Sequence, residues 1–469
     1  MKKSSHFSIQ DDNHSLYFHR LNDVINNKKT NEFNEILQRK PKDRLDILFR
    51  FRLIFVVALL LITFTSLTIV QAQVLRSPTI KKLQTKINEG NSNAEKAFWQ
   101  NFTSGPLIEQ IDKNSDTLLV TFLYHGSGNE KEVILHTHAL RPLLPEASDG
   151  HLKKISSESN TWYFTMPVPS DLQTTYTFHI MEFNGERSSI VDPANPDSIW
   201  SSSGSRVSAL SLSQALAEPW RSEVGSTKAS WIADTLQWKS NSKNQEIWIH
   251  LPPQYDPNRP DKYPLVIALN KYNFRYAIST GSIVDYLIKN KLIPPAVLVV
   301  ADELEPGKGN KAYESSAEWI ADGLLPWLRN HYNISSQSAD IILAGASRRG
   351  LVAAAVALDR PDAVGNVLSM SGAFYWRPKE SGRFEWLAAR YAAHKIIPVR
   401  FYLSVGKLET VISEENKGHY PLATTRHFAD VLQARGYKYR LDEFSGTHDE
   451  LNWQGWFAVG LKYLLGSSK

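Results

Sequence analysis

Residues 340 to 351 read Asp340-Ile341-Ile342-Leu343-Ala344-Gly345-Ala346-Ser347-Arg348-Arg349-Gly350-Leu351, and this pattern sets the architecture of the chain. An apolar run ends in Gly-Ala-Ser, and a run with strong helical character, 351–358, follows it. A strand that turns sharply through a serine into a helix raises the serine hydroxyl above the C-terminal edge of a parallel sheet. The hydroxyl then lies at the positive end of the helix dipole. The pattern therefore predicts an α/β fold in which Ser347 is a candidate nucleophile.

The chain after residue 231 alternates between apolar strands and helices. We predict strands and helices from their periodicity and length: strands at 246–251, 263–269, 295–300, 364–370, 399–405 and 437–444, and helices at 283–291, 421–435 and 451–465. Such alternation is typical of a right-handed, mostly parallel sheet with helices on both faces. Together with the serine turn, it predicts an α/β-hydrolase fold and a catalytic domain over residues 231–469.

Residues 94–200 follow a different pattern, in which short strands succeed one another without helices. The runs are rich in β-branched and aromatic residues and are separated by turn residues; they lie at 117–124, 132–135, 161–166 and 176–181. This spacing predicts a small immunoglobulin-like β-sandwich. Polar linkers are expected at 73–93 and in the Ser-rich segment 201–230.

The first 72 residues predict a membrane anchor or a signal segment. A polar tail, 1–52, precedes an apolar run, 53–70, which has 18 residues without charge and is just long enough to span a bilayer. The long polar segment before it favours an uncleaved anchor; the alternative is a signal segment, 53–72, that is removed. Six basic residues precede the run and four follow it, which keeps the tail cytoplasmic. Either reading places the globular part in the periplasm, anchored to the inner membrane or secreted.

Composition excludes several classes of function. The chain has 53 Lys and Arg residues against 48 Asp and Glu residues, a net charge of +5, and no dense basic stripe. A nucleic-acid-binding protein is therefore not expected. The absence of cysteine excludes disulfides, thiolate catalysis and cysteine metal sites. The chemistry predicted below requires neither a metal nor a cofactor.

A serine nucleophile needs a base, and the base needs an orienting acid. In an α/β-hydrolase these residues follow in the chain order serine, acid, histidine. Glu409 comes just after the strand 399–405, and His448 lies in a Gly-containing loop before the last helix. Ser347, Glu409 and His448 are therefore the predicted catalytic residues. Other carboxylates remain candidates for the acid, namely Asp442, Glu443 and Asp449. Asp449 directly follows the histidine and is expected to be too close to orient it, so a supporting role is expected for this residue.

The oxyanion hole is expected to consist of backbone N–H groups. One belongs to Arg348, directly after the nucleophile, and the other is expected from Asn270 or Lys271, in the loop after the first buried strand of the sheet. Arg349 and Tyr272 are the predicted substrate-binding residues. The two arginines and the lysine would make the cleft basic, which suits an anionic substrate. The alternative is that the arginines are solvent-exposed or paired with acids.

Several motifs lie in one order along both predicted domains: Ala97-Phe98-Trp99, Thr161-Trp162-Tyr163-Phe164, Ile293-Pro294-Pro295, Gly345-x-Ser347, Leu368-Ser369-Met370-Ser371-Gly372 and Gly446-x-His448-Asp449. Over residues 94–466 the chain resembles the enterochelin (ferric enterobactin) esterase family, within the esterase-D-type α/β hydrolases. The resemblance implies a serine hydrolase that cleaves a small-molecule ester through an acyl-enzyme. The implied substrate is a ferric siderophore, whose iron arrives as part of the substrate. The implied nucleophile and base are Ser347 and His448, with Glu409 as the acid.

The sequence departs from the family pattern around the expected substrate. The family turn reads Gly-x-Ser-x-Gly-Gly, and Arg349 replaces the first glycine of its final pair. Asn270-Lys271 stands where Asp-Gly is common. These departures bear on siderophore specificity more than on ester hydrolysis. Two alternatives therefore stay open: an envelope carbohydrate-ester hydrolase or acyltransferase, and a non-catalytic envelope binding protein that retains the fold.

Overall fold

The computed structural model describes residues 77–111, 115–147, 149–223, 230–238, 244–380, 384–410 and 420–466. The predicted tail, 1–52, and the predicted anchor or signal segment, 53–72, lie outside these ranges. Within them, no helix combines the length and apolar character needed to cross a membrane. Ser77–Lys469 form one compact unit.

Two antiparallel sheets form the N-terminal half of this unit. The strands are β1 (Leu107–Gln110), β2 (Thr117–His125), β3 (Glu130–His136), β4 (Lys153–Lys154), β5 (Thr161–Pro169), β6 (Gln173–Glu182), β7 (Arg187–Ile190), β8 (Ser198–Trp200) and β9 (Arg206–Ser211). One sheet has the order β1-β2-β5-β4, and the other has the order β3-β6-β9-β8, with β7 paired to β6. The four strands predicted from the sequence lie within β2, β3, β5 and β6.

Alternation along β6 separates two faces of its sheet. Tyr176, Phe178 and Ile180 pack into a core that also contains Phe122 of β2 and Met166 of β5. The core therefore joins the two sheets. Because successive side chains of a strand point to opposite faces, the residues between these core positions face away from the core.

The predicted linker 201–230 contains a strand, since β9 pairs with β6 in antiparallel register. The serine content of this segment is typical of a linker and concealed the strand. In the structure Ser208 is fully buried, and its hydroxyl accepts a hydrogen bond of 2.8 Å from the backbone N–H of Asp192. The predicted linker 73–93 likewise contains a helix, α1 (Pro78–Asn88). A second helix, α2 (Ala94–Asn101), follows it.

An eight-stranded sheet forms the second half. Its strands are β10 (Ile232–Leu236), β11 (Gln245–His250), β12 (Leu265–Leu269), β13 (Val297–Ala301), β14 (Ile341–Ala346), β15 (Asn366–Met370), β16 (Arg400–Gly406) and β17 (Lys438–Phe444). They lie in the order β10-β11-β13-β12-β14-β15-β16-β17. The six strands from β12 to β17 are parallel, and β11 pairs antiparallel with both β10 and β13.

Helices cover both faces of this sheet. After α3 (Leu140–Leu143) of the N-terminal half, they are α4 (Trp220–Glu223), α5 (Thr280–Lys289), α6 (Glu314–Glu318), α7 (Leu325–His331), α8 (Arg348–Asp359), α9 (Trp386–Ala393), α10 (Pro421–Ala434) and α11 (Glu450–Leu465). Helices α5 and α11 share a core with one face, and α6 to α10 share a core with the other. Strands β12 to β15 are buried throughout, as strands covered on both sides should be. The predicted α/β fold is confirmed.

The loop after β17 touches the N-terminal half directly. The backbone N–H of Gln173, the first residue of β6, donates to the carbonyl of Ser445 at 3.0 Å. The side-chain amide of Asn452 donates to the carbonyl of Gln173 at 3.1 Å. The hydroxyls of Thr174 and Thr447 are 3.0 Å apart. The two halves are therefore joined by hydrogen bonds at the end of the central sheet.

We expect Gly460→Val to destabilise the fold, because α11 lies close to the sheet at this glycine. A Cβ there would come within 2.6 Å of the Tyr402 ring and 2.8 Å of Leu368. Overpacking of this kind typically lowers the free energy of unfolding by about 1–3 kcal/mol. Chemical denaturation measures the free energy of unfolding of this variant and of a matched control, Lys462→Val. Lys462 lies on the exposed side of the same helix. Equal losses in the two variants would contradict close packing at Gly460.

Candidate active site

Ser347 lies in the sharp turn between β14 and α8. Its backbone has φ 55° and ψ −127°, a conformation that residues with a side chain rarely adopt. Such backbone strain costs on the order of 1–3 kcal/mol and persists only where the surrounding structure enforces it. Here the N–H of Ser347 donates to the carbonyl of Met370 at 2.9 Å, and its carbonyl accepts from the N–H of Ala373 at 3.0 Å. The neighbouring strand thus holds the serine in place.

Two glycines permit the close packing of this turn. A Cβ at Gly345 would collide with the backbone carbonyl of Arg349, and a Cβ at Gly350 would collide with the hydroxyl of Ser369. Arg349 stands where the resemblance implies a further glycine, and its side chain is accommodated because it is directed to Glu303. Its Nε lies 2.9 Å from Oε1 of that carboxylate, in an ion pair rather than an aligned hydrogen bond.

His448 and Glu409 are in direct contact. Nδ1 of His448 lies 2.6 Å from Oε2 of Glu409, whose side chain is only 1% exposed. The other carboxylate oxygen accepts hydrogen bonds of 2.7 Å from the hydroxyl of Ser371 and from the backbone N–H of Gly406. A buried carboxylate requires such partners. The arrangement fixes the imidazole ring and leaves Nε2 as the ring nitrogen that does not contact Glu409.

The carboxylate also sets the protonation of His448. Desolvation disfavours the imidazolium, but Glu409, followed by Asp449 and Glu450, outweighs it, so the pKa of His448 is raised above its ordinary value. A base with a raised pKa binds a proton more readily.

The other candidates for the acid have different partners. Asp442 accepts from the hydroxyl of Tyr402 at 2.8 Å, and Glu443 forms a pair of hydrogen bonds with Arg426. Asp449 is the N-cap of α11 and accepts from the N–H of Asn452. Glu409 is therefore the candidate acid whose carboxylate forms a hydrogen bond with the His448 ring.

Trp453 and Ser371 were missed as site residues. The indole N–H of Trp453 donates to the hydroxyl of Ser371 at 3.0 Å, and its ring packs edge-on against His448 with centroids 5.0 Å apart. One signal was present in the sequence, since Ser371 belongs to the motif 368–372. The motif does not show that its second serine contacts the acid.

The predicted oxyanion donors Asn270 and Lys271 need a correction. The N–H of Asn270 donates to the carbonyl of Ala301 at 2.9 Å, and the N–H of Lys271 donates to the carboxylate of Asp302 at 3.1 Å. Both backbone N–H groups therefore already have acceptors at the edge of the sheet, so neither is the expected oxyanion donor. Arg348 begins α8, and the first N–H groups of a helix have no acceptor within it.

The basic residues of the cleft are paired with acids, which is the alternative left open by the sequence. Arg348 lies 2.6 Å from Oε1 of Glu303, the same oxygen that faces Arg349, and this carboxylate is buried. Lys271 lies 2.7 Å from Glu246 and 3.5 Å from Asp302. These pairs offset the positive charge that the sequence alone suggested.

Ser347 and His448 line one cavity of about 540 Å³, together with Asn270 and Arg349. Its opposite wall belongs to the N-terminal half and carries hydroxyl and imidazole side chains. The predicted substrate-binding residue Tyr272 is not among the lining residues; its ring lies beside Tyr276, with centroids 5.3 Å apart. In the described ranges, no group of three or more His, Asp or Glu side chains is arranged to hold a metal ion.

Comparison with known proteins gives a consistent set of relatives. The Esterase family model matches residues 239–464. The iron(III) enterobactin esterase of Escherichia coli K12 is 26% identical over 283 residues, which cover 58% of this chain and 66% of that protein. The iron(III) enterobactin esterase of Dickeya dadantii is 22% identical over 425 residues, covering 79% of this chain and 93% of that protein.

A solved structure shows the same fold. The enterobactin esterase of Shigella flexneri, crystallised in the presence of enterobactin, has a TM-score of 0.64 at 19% identity. The likeness covers 79% of this chain and 97% of that chain. At this identity it shows the fold alone.

We expect Glu409→Gln to lower the pKa of His448, because desolvation remains while the opposing charge is removed. In the wild type this pKa should lie above 6.5. The contact between Glu409 and His448 therefore stabilises the fold at low pH. This contribution is lost as the pH rises through the pKa of His448 in the folded state. NMR titration of the imidazole signal, assigned by its absence in His448→Gln, measures the change.

Asp442→Asn is the matched control for this titration, because it removes another carboxylate from the end of the sheet. It should leave the His448 signal where it is in the wild type. A larger shift in Asp442→Asn than in Glu409→Gln would show that Glu409 is not the acid behind the base.

Proposed function

We propose that the chain is a member of the enterochelin esterase-like family of ester hydrolases and a serine esterase that uses Ser347, His448 and Glu409. The observation that carries the proposal is the contact of His448 with the buried Glu409, because His448 lines the same cavity as Ser347. The fold supports it, since the candidate nucleophile lies at a strand-to-helix turn and the acid and histidine follow in chain order.

In the proposed mechanism, Nε2 of His448 takes the proton of the Ser347 hydroxyl as its oxygen attacks the ester carbonyl. Glu409 accepts the hydrogen bond from Nδ1–H and stabilises the imidazolium. The imidazolium then gives its proton to the departing alcohol, leaving an acyl group on Ser347. Water, deprotonated by His448, attacks this acyl-enzyme and releases the acid. The imidazolium returns that proton to the Ser347 oxygen, which restores the serine hydroxyl and the neutral histidine.

The developing oxyanion requires two donors. We assign one to the backbone N–H of Arg348 and the other to the side-chain amide of Asn270. Asn270 lines the cavity, and its Oδ1 faces the N–H of Asn273 at 3.3 Å, which orients Nδ2 as the remaining donor. Its φ of 83° suits an asparagine, which tolerates positive φ better than most residues do.

The proposed substrate is a siderophore ester. The names of the Escherichia coli and Dickeya dadantii relatives support this class, as does the enterobactin in the Shigella flexneri crystals. The finer fold assignment agrees with it: we interpret the N-terminal sheets as an immunoglobulin-like β-sandwich and the second half as an α/β-hydrolase fold. Two sheets around one core support the first assignment, and the serine turn supports the second.

We expect a serine-directed fluorophosphonate to label the wild-type protein at Ser347. Ser347→Ala should abolish labelling and lower kcat/KM for 4-nitrophenyl acetate by more than about 1,000-fold, since the nucleophile is lost. Ser203→Ala, at a second serine of the same cavity, is the matched control and should retain the label. Mass spectrometry of the labelled peptide identifies the site. Folded wild-type protein that takes up no label would identify a binding protein instead of an esterase.

We further propose that the apolar run 53–70 anchors the chain in the inner membrane with the globular part in the periplasm. Support comes from its length and from the excess of basic residues before it. Full-length protein should sediment with membranes and be digested by protease added to spheroplasts, whereas deletion of 53–70 should leave it in the cytoplasm. A shortened, soluble periplasmic form would support the signal segment over the anchor. A full-length chain protected from protease would contradict export.

A further inference from the structure

Two residues behind the candidate acid form a chain of hydrogen bonds that the proposed mechanism does not use. The indole N–H of Trp453 donates to the hydroxyl of Ser371 at 3.0 Å. That hydroxyl donates in turn to Oε1 of Glu409 at 2.7 Å, while Oε2 of Glu409 contacts His448. Ser371, Glu409 and Trp453 are all buried. The chain therefore connects helix α11 to the candidate base through the acid.

The indole fixes the direction of these hydrogen bonds. An indole N–H can only donate, whereas a serine hydroxyl has one proton to donate and can also accept. Because the oxygen of Ser371 accepts from Trp453, the proton of this hydroxyl is free to point at the carboxylate of Glu409. Hydrogen bonds that run in one direction polarise and strengthen one another. Trp453 thus makes Ser371 a donor to the acid.

The backbone of Ser371 supports a functional role for its hydroxyl. Its φ of 48° lies in the left-handed region, which glycine adopts freely and most other residues avoid. The N–H of Ser371 donates to the carbonyl of Ser404 at 2.7 Å, which holds this backbone against β16. Strained residues cluster at sites where the strain serves a function. The contact of the hydroxyl with Glu409 accounts for a serine at this position.

Ser369 provides the contrast within the same stretch of chain. It lies two residues before Ser371, in β15, and is also buried. Its hydroxyl forms no hydrogen bond with any residue that the structure describes. Burial at this end of the sheet therefore does not by itself bring a serine hydroxyl to the acid.

The titratable groups around the pair add negative charge. Asp449 and Glu450, at the start of α11, both favour the charged form of His448. On the other side, burial and then the charge of Glu409 raise the pKa of Tyr375, so that this phenol is neutral near pH 7. Hydrogen-bond donors to a carboxylate favour its ionised form. In these surroundings Glu409 depends on such donors to remain ionised.

We propose that Ser371 and Trp453 are positioning residues, in which the indole holds the serine hydroxyl as a donor that keeps Glu409 ionised and aligned behind His448. This Trp453–Ser371 relay disperses the charge of the carboxylate. The imidazolium is then stabilised when it forms and can still release its proton to the departing alcohol. The inference rests on the proposed esterase function, because the basicity of His448 matters only if it takes a proton from Ser347.

Removal of the relay should raise the pKa of His448, which is opposite in sign to the effect of Glu409→Gln. In Ser371→Ala the carboxylate loses a donor and attracts the proton of the neighbouring imidazole more strongly. NMR titration should therefore show His448 losing its proton at a higher pH than in the wild type. Trp453→Phe, which keeps an aromatic ring beside His448, should cause a smaller shift in the same direction.

An unchanged or lowered pKa in Ser371→Ala would overturn the proposal. A site that was simply loosened would admit water, which screens Glu409 and brings the pKa of His448 down toward its ordinary value. Ser369→Ala is the matched control, since it removes a buried hydroxyl without a described partner. It should titrate as the wild type does, and a shift equal to that of Ser371→Ala would contradict the relay.

Kinetics across pH give a second readout. For 4-nitrophenyl acetate, Ser371→Ala should lower kcat at pH 6 about three- to tenfold, the range expected for one hydrogen bond, and leave KM unchanged. The acid limb of the kcat/KM profile should move to higher pH. Adding Trp453→Phe to Ser371→Ala should cause little further loss, because the indole acts through the serine. Additive losses would overturn the relay.

The titration and the labelling experiment separate two kinds of failure. Absence of fluorophosphonate labelling at Ser347 in the wild-type protein would refute the esterase function. The NMR titration needs no substrate, so it would still decide whether Ser371 and Trp453 act on His448.

Discussion

The buried carboxylate of Asp449 holds together the parts from which the candidate active site is built. One of its oxygens accepts from the N–H of Thr175 at 3.2 Å and from the hydroxyl of Thr447 at 2.6 Å. The other accepts from the backbone N–H of Asn452 at 3.1 Å and from its side-chain amide at 2.9 Å. A strand of the sandwich, the loop of His448 and the first turn of α11 therefore share one anion. Burial without these four donors would be strongly unfavourable.

The same principle shapes the rest of the site, where buried carboxylates and their partners fix each functional group. Glu409 is satisfied by a serine, a backbone N–H and His448, while Glu303 faces Arg348 and Arg349. The first arrangement prepares an imidazole to accept a proton. The second pairs the guanidinium groups of both arginines with a buried carboxylate. Charge is thus concentrated behind the reacting groups, while the sandwich wall remains neutral and polar.

Sequence reasoning succeeded where the signal was local. The strand, the serine turn and the helix around Ser347 are encoded by adjacent residues, and Glu409 and His448 follow strands whose apolar runs are easy to recognise. It failed where the outcome depends on a distant partner. The N–H of Lys271 is used by Asp302, contrary to its predicted role. The pairing of the arginines with Glu303, about 45 residues earlier, was one of two alternatives that the sequence left open. Strand β9 was concealed because the serines in and around it resemble a linker in composition.

The backbone bridge between Gln173 and Gly446 has a consequence for how such a protein can change over time. Each half supplies main-chain partners to the other beside His448, so neither half ends in a self-sufficient surface. Separating them by recombination would expose unpaired N–H and C=O groups at the edge that carries the chemistry. Exchange of either half alone would therefore disturb the loop that carries His448 unless the new half supplied the same main-chain partners.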